Sequence, residues 1–119
     1  MFTYRQSTGE LFDPTGERIG VGYAGHGEGT NDPAMESIAN IGPLPKGRYL
    51  IGLPYHHPKL GPLTMNLTPD IDNVMYDRRD FRIHGDNDAH DASHGCIVQD
   101  HDVRLKVSLS PDHALHVIA

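Results

Sequence analysis

The only cysteine of the chain, Cys96, lies in the segment Ser93–Cys96 beside residues that can activate a thiol. A thiol becomes an effective nucleophile when a nearby base raises its thiolate fraction, and histidine does this best near neutral pH. Two histidines are available: His94, two residues earlier, and His84, across a loop of eleven residues. The spacing therefore predicts a catalytic pair in which Cys96 is the nucleophile and one of the two histidines is its base.

The residues around this pair can supply the other groups that such chemistry needs. Gly95 lets the backbone turn sharply, so that backbone N–H groups can converge on a developing oxyanion, and Ser93 adds a hydroxyl donor. Asp86 can fix the tautomer of His84, and the carbonyl of Gly85 can do the same. We expect one of these two acceptors to orient the imidazole.

Two alternatives to cysteine catalysis stay open from the residues alone. A lone cysteine followed by Ile97-Val98 can be a small buried core residue with no chemistry. A zinc-bound hydroxide would also hydrolyse an amide, although the chain has neither an HExxH motif nor a paired CxxC motif. The candidate zinc ligands are His84, Asp86, His90, His94 and Cys96. We expect no metal and no other cofactor.

Composition and charge exclude several classes of function. The 119 residues carry a formal net charge of −6, with 10 Lys and Arg against 16 Asp and Glu and no basic run, so we expect no nucleic-acid partner. No apolar run is long enough to span a bilayer, so membrane insertion is not expected. The N-terminus has no apolar signal region, and we expect any export to use another route.

Short strands must position the candidate pair. Gly and Pro are frequent, at 13 and 9 residues, which is typical of a turn-rich globular protein. Alternation in the segment 81–84 puts Phe81 and Ile83 on one face of a strand and Arg82 and His84 on the other. We predict one domain over residues 1–119 with a mostly β fold and one or two short helices.

Two segments are candidates for those helices. Asp32 followed by Pro33 is typical of a helix N-terminus, with an acidic cap and proline in the first turn. The segment 103–109 has apolar residues at every second position, which favours a strand, although Asp100 or Asp102 can cap a short helix there.

Several motifs together resemble a known family. Ile83-His84-Gly85 followed by Ser93-His94-Gly95-Cys96-Ile97 resembles the active-site signature of the L,D-transpeptidases, which act on the stem peptides of bacterial peptidoglycan. The segment 42–51 resembles an earlier strand of the same family. The chain is most similar to the short L,D-transpeptidase-like proteins that include type VI secretion effectors, through Tyr4, Gln6–Gly9, Gly22–Gly25, Asn31–Pro33, Gly42–Gly47, Met75, Arg78, Phe81 and His84–Asp86.

The resemblance implies a β-sandwich with the cysteine and histidine in a groove, Cys96 as nucleophile and His84 as general base. It implies cleavage of the L,D bond before the terminal D-alanine of tetrapeptide stems, exchange of that residue for another D-amino acid, or both. It also implies a secretion-system carrier, an immunity protein and action in the periplasm of a target cell. The expected oxyanion and substrate-binding residues are Ser93, His94, Gly95, Gly85, Arg78 and Tyr23.

The resemblance leaves some of these roles with alternatives. Arg78 matches the family's arginine and is a candidate for binding a substrate carboxylate, with a surface ion pair as the equal alternative. Tyr23 and Arg104 are further groove candidates, and Tyr23 can instead serve in packing. The effector-like group often has an acidic residue where this chain has His94, so His94 is a candidate for the oxyanion site or for a competing base.

Overall fold

The computed structural model describes all residues from 1 to 119, and its main feature is a 10-stranded sheet. The strands are β1 Phe2–Arg5, β2 Glu10–Phe12, β3 Arg18–Val21, β4 Tyr23–Ala24, β5 Gly47–Ile51, β6 Tyr55–His57, β7 Gly61–Pro69, β8 Arg82–His84, β9 Ile97–Val98 and β10 Ala114–Ile118. One α-helix, α1 His101–Leu109, and two 3-10 turns, Gly27–Gly29 and Pro33–Met35, complete the regular structure.

The sheet follows the order β3-β2-β1-β10-β5-β7-β8-β9-β4, with β6 added to β7 as a hairpin. Most neighbours are antiparallel, but β1 with β10 and β8 with β9 are parallel. A sheet of this many strands curls as its twist accumulates, and here it comes close to closing on itself. The predicted mostly β, sandwich-like fold is confirmed.

One cluster of 16 buried residues fills the inside of the curled sheet. Ile83 and Ile97 are both fully buried and lie directly opposite each other in the parallel pair β8/β9. Burying an isoleucine side chain stabilises the fold by about 1.5–3 kcal/mol, so a one-residue slip of this pair would be costly. The two isoleucines therefore fix the register of the strands that carry the candidate site.

The segment 103–109 forms the helix α1, so the strand favoured by its alternation was wrong and the capped helix was right. Asp100 is the cap, accepting a hydrogen bond from the backbone N–H of Val103 at 3.0 Å. Val103 and Val107, one helical turn apart, are the buried apolar positions of α1. Leu105 and Leu109 are exposed, which shows that burial at a spacing of four decided this element.

The helix predicted at Asp32 is only a single 3-10 turn. Asp32 does cap it, accepting from the backbone N–H of Ala34 at 3.0 Å. The carbonyl of Glu36, the residue that ends this turn, accepts a hydrogen bond from the Arg78 side chain.

Candidate active site

The parallel pair β8/β9 brings Cys96 and His84 to the same face of the sheet. Successive side chains of a strand point to opposite faces, so the burial of Ile83 and Ile97 in the core turns His84 and Cys96 the other way. The backbone N–H of Arg82 donates to the sulfur of Cys96 at 3.3 Å, which places the thiol against the start of β8. His84 lies two residues further along that strand.

The Cys96 thiol is held in its neutral form. Its S–H group points toward the carbonyl of Asp80, with sulfur and oxygen 3.8 Å apart. Burial raises the pKa of Cys96 above its ordinary value, although the N–H of Arg82 and the charges of Arg82 and Arg78 oppose this. The thiol is therefore protonated at neutral pH and needs a base to become a nucleophile.

His84 has the protonation state and tautomer of such a base. Its Nδ1 lies 2.7 Å from the carbonyl oxygen of Gly85, and because a carbonyl only accepts, Nδ1 carries the hydrogen. Burial lowers the pKa of His84, with help from the charges of Arg104 and Arg82, although the bond to Gly85 opposes the shift. The neutral ring thus presents an unprotonated Nε2, an atom that is not among the fully buried ones.

No hydrogen bond joins the His84 ring to the sulfur in this structure, since the sulfur contacts only Arg82 and Asp80. Catalytic hydrogen bonds are often long before substrate binds and tighten in the complex. The arrangement is a neutral imidazole on β8 and a neutral thiol on the residue just before β9, on the same face.

Asp86 does not touch His84, so the Gly85 carbonyl alone orients the imidazole. The carboxylate of Asp86 accepts from the hydroxyl of Tyr23 at 2.5 Å and contacts Nδ1 of His90 at 2.7 Å. These bonds lower the pKa of Asp86 although partial burial opposes them. Asp86 therefore braces the loop between β8 and β9 instead of completing a catalytic triad.

Tyr23 belongs to the same brace. Besides donating to Asp86, its hydroxyl accepts from the backbone N–H of Ala92 at 2.9 Å. Burial and the bond to Asp86 raise the pKa of Tyr23 to about 12, so the ring stays neutral at physiological pH. Tyr23 and Asp86 also line one cavity of about 280 Å³.

Ser93 and Gly95, the predicted oxyanion donors, are committed to the loop itself. The hydroxyl of Ser93 accepts from the N–H groups of Gly25 at 2.9 Å and Gly95 at 3.0 Å, and donates to the carbonyl of Cys96 at 2.6 Å. The N–H of Cys96 itself has no acceptor within the chain. The donor that the turn leaves free is thus the backbone N–H of Cys96.

Gly95 has a steric role as well. Its φ is +133°, and a Cβ at this position would lie 2.6 Å from Nη2 of Arg78 and 2.8 Å from the Phe81 ring. Only glycine fits both the backbone conformation and the space. Its carbonyl accepts from Leu44 at 2.9 Å, which ties the turn to the neighbouring segment.

Arg78 is a buried structural residue, neither a surface ion pair nor a free carboxylate ligand. Its guanidinium donates to the carbonyls of Pro43 at 2.8 Å, Gly42 at 3.0 Å and His94 at 3.3 Å, as well as to that of Glu36. It also lies over the Phe81 ring, 5.1 Å from the centroid. Both terminal nitrogens are therefore used in holding the Cys96 loop.

His94 and Arg104 lie at the edges of the site. His94 is exposed and its ring stacks on His26 with centroids 5.1 Å apart, so it makes no bond to the thiol. Arg104 is buried and donates to the carbonyls of Gln99 and Pro62. Its charge lowers the pKa of His84, which makes it part of the electrostatic setting of the base.

Arg82 is a site residue that the sequence reasoning did not single out. Its Nε donates to the hydroxyl of Tyr55 and its Nη1 to the carbonyl of Asp80, both at 3.2 Å. Its positive charge contributes to the lowered pKa of His84, and it opposes the rise that burial causes in the pKa of Cys96. The signal was present, because the alternation of residues 81–84 placed Arg82 on the face of His84.

The candidate zinc ligands do not converge. The structure contains no group of three or more His, Cys, Asp or Glu side chains that could hold a metal ion. Asp86 and His90 contact each other, but the stacking of His94 on His26 and the contacts of Cys96 with β8 keep those residues apart from that pair.

Fold and site together define a class: a small, mostly β domain with a buried histidine on one strand and a cysteine immediately before the parallel neighbouring strand. The chain belongs to the Tlde1 domain family, whose family model matches residues 19–113. This is the type VI effector L,D-transpeptidase/carboxypeptidase family, so the resemblance inferred from the motifs is confirmed. Membership makes the chain a peptidoglycan-modifying effector domain. No curated protein and no solved structure matches the chain.

None of its helices has the length and apolar character needed to cross a bilayer.

Proposed function

We propose that the chain is a cysteine L,D-peptidase that acts on the tetrapeptide stems of peptidoglycan. The sulfur of Cys96 attacks the carbonyl carbon of the third stem residue, and the amide bond to the terminal D-alanine breaks. His84 takes the thiol proton and passes it to the departing amine, leaving a thioester on the enzyme. Water then releases the tripeptide as the acid, or a D-amino acid releases it as a new amide.

The observation that carries this proposal is the position of the Cys96 sulfur against the start of β8, with His84 two residues further along that strand. Burial keeps the Cys96 thiol protonated and the His84 imidazole neutral, so a proton donor and its acceptor coexist at neutral pH. An already charged thiolate and imidazolium would need no further transfer. Here substrate binding must bring the sulfur and Nε2 within reach, which couples activation of the thiol to the presence of the stem peptide.

The free N–H of Cys96 supports the same chemistry. It has no acceptor in the chain and belongs to the residue whose sulfur attacks, so it lies next to the position where the oxyanion develops. The bonds of Ser93 hold this turn in place, since its hydroxyl contacts Gly25, Gly95 and the carbonyl of Cys96. Ser93 is therefore a positioning residue and not a donor to substrate.

The cellular setting follows from the family and remains part of this proposal. A type VI effector domain that modifies peptidoglycan would act in the periplasm of the target cell. A carrier in the secretion machine would deliver it, and an immunity protein would protect the producing cell. The net charge of −6 suits neither a nucleic acid nor an anionic membrane as partner.

The test is incubation with purified disaccharide-tetrapeptide, with product masses followed over time. We expect loss of D-alanine, and a fall of at least ~100-fold in rate for Cys96→Ala and for His84→Ala. His101→Ala is the matched control because His101 is exposed at the start of α1, outside the site. Adding a free D-amino acid separates exchange from hydrolysis by the mass of the product.

Two outcomes would contradict the proposal. Cleavage that survives in Cys96→Ala and stops with a chelator would move the chemistry to a metal. Tight binding of stem peptide without any cleavage would favour a peptidoglycan-binding module in which Cys96 serves only in packing.

A further inference from the structure

A cavity of about 290 Å³ is lined by two residues whose backbone groups contact the Cys96 sulfur. Its lining includes Asp80, Phe81 and Arg82, and the sulfur touches the first and last of these through the Asp80 carbonyl and the Arg82 N–H. Arg79 lines it as well. None of the sequence motifs assigned a role to this cavity.

The cavity has unused positive charge. Arg79 is exposed, and its guanidinium makes no hydrogen bond or ion pair within the chain, in contrast to its buried neighbour Arg78. Arg82 uses Nε and Nη1 for Tyr55 and Asp80, which leaves Nη2 without a partner. The only acidic residue in the lining is Asp80, so two cations face one anion. Such a surface favours a negatively charged ligand.

The guanidinium of Arg82 shares one contact with the Cys96 sulfur. Its Nη1 and the Cys96 sulfur both contact the carbonyl oxygen of Asp80, at 3.2 and 3.8 Å. The distance between Nη1 of Arg82 and the Cys96 sulfur is therefore no greater than the sum of these two distances. This limit is about 7 Å, the length of roughly two extended residues.

The leaving residue of the proposed reaction carries a charged group that fits within this span. In a terminal D-amino acid the α-carboxylate is separated from the scissile carbonyl by only the amide nitrogen and one carbon. We propose that Arg82 and Arg79 form a carboxylate subsite for the C-terminal residue of the stem. This inference rests on the proposed function, and it makes the enzyme specific for stems that end in a free carboxylate at the fourth residue.

The subsite also explains how an exchange acceptor would be recognised. A free D-amino acid enters where the leaving D-alanine departed, and it carries the same α-carboxylate. The same two arginines would hold it with its amine directed toward the thioester. Exchange and hydrolysis would then differ in whether this subsite is occupied when the thioester breaks down.

The experiment compares the tetrapeptide stem with its C-terminal amide, which differs only in the charge of the last group. For the wild type we expect kcat/KM to be at least ~tenfold higher for the acid than for the amide. Arg82→Gln and Arg79→Gln should each lower this preference several-fold, and the double variant should abolish it. Arg48→Gln is the control, since Arg48 is exposed on β5 and does not line the cavity.

A second readout does not depend on peptidase activity. Iodoacetate and iodoacetamide alkylate a thiol through the same carbon and differ in the charge of the attached group. At low salt, the rate ratio of iodoacetate to iodoacetamide at Cys96 should fall by at least ~threefold in Arg82→Gln and in Arg79→Gln. Circular dichroism checks that each variant is folded, and the exposed Arg79 side chain makes no hydrogen bond or ion pair that its replacement would remove.

The two readouts separate failure of the subsite from failure of the proposed function. Equal cleavage of acid and amide by the wild type would overturn the subsite while the peptidase stands. Absence of cleavage would overturn the proposed function, and the alkylation ratio would still test whether an anion binds beside the thiol. An unchanged ratio in both arginine variants would overturn the subsite in either case.

Discussion

The imidazole of His84 is oriented by the carbonyl oxygen of its own neighbour, Gly85, 2.7 Å from Nδ1. The next residue, Asp86, has its carboxylate turned toward Tyr23 and His90 instead. In the proposed mechanism the base is therefore held by the backbone, in a Cys–His pair without an acidic third member. This differs from a triad, in which a carboxylate also stabilises the imidazolium that forms during the reaction.

Replacing Asp86 tests this arrangement. Asp86→Asn should lower kcat/KM on the tetrapeptide by less than ~tenfold, because the Gly85 carbonyl keeps the tautomer of His84. Loss of the acidic member of a true triad costs on the order of 10⁴-fold in kcat. His84→Ala provides the reference for a fully disabled base. A fall of ~1000-fold or more in folded Asp86→Asn would show that the carboxylate acts on the imidazole.

The turn before Cys96 should tolerate no side chain at Gly95. Gly95→Ala places a Cβ 2.6 Å from Arg78 and forces a non-glycine residue to a φ of +133°. We expect a loss of about 2–4 kcal/mol in the free energy of unfolding, together with loss of activity. Gly16→Ala is the control, since Gly16 also has a positive φ but open space around it. If urea unfolding shows the same loss in the free energy of unfolding for Gly95→Ala and Gly16→Ala, the effect comes from the positive φ alone.

The buried guanidinium of Arg78 should be irreplaceable by lysine. Its two terminal nitrogens reach four backbone carbonyls, which an ammonium group on a flexible stem cannot reproduce. Arg78→Lys should lower the free energy of unfolding by about 2–4 kcal/mol. Arg79→Lys, a change at the exposed neighbour, should stay within ~0.5 kcal/mol. A stable Arg78→Lys protein with an altered substrate affinity would instead restore the predicted role in binding.

The buried imidazole of His84 should make stability fall in acid. The pKa of His84 is lower in the folded protein than its ordinary value of 6.5, so below that pH the unfolded chain takes up the proton more readily. The stabilisation is fully present above pH 6.5 and is lost as the pH falls through the folded-state pKa. Urea unfolding between pH 8 and pH 5, compared with His84→Gln, should show a shallower pH dependence in the variant.

The same shift predicts the acid limb of the activity profile. Because the pKa of His84 is lowered, the base stays unprotonated and kcat/KM should hold as the pH drops below 6.5. Alkylation of Cys96 by iodoacetamide in the absence of substrate should increase toward alkaline pH, since burial raises the pKa of the thiol. A thiol that is fully alkylation-competent at pH 6 would contradict this assignment of protonation states.

The family and much of the site could be predicted from the sequence because they rest on local motifs. Ser93–Cys96 is one uninterrupted motif, and the pattern around His84 is another. Strand alternation alone placed Arg82 and His84 on one face. The mostly β fold followed from short alternating segments between turns. The α-helix at 101–109 could be read only as an alternative, since its apolar residues fit a spacing of two as well as one of four.

The roles of individual polar residues depended on which distant groups the fold brought to them. Arg78 meets the carbonyls of Gly42 and Pro43, far away in the chain, so its role in holding the loop was invisible from its neighbours in sequence. Asp86 was assigned to His84 because the two are close in sequence, but Tyr23 from β4 takes its carboxylate.

The sequence by itself determined which residues are nucleophile and base candidates, because residue type and spacing along two short strands are local properties. Tertiary structure decided which donors and charges remain free for a substrate, because hydrogen-bonding capacity is used up by partners that only folding brings close. The hydroxyl of Ser93 and the terminal nitrogens of Arg78 are occupied by such partners. The Cys96 N–H and the Arg79 side chain are left without hydrogen-bond partners in the chain.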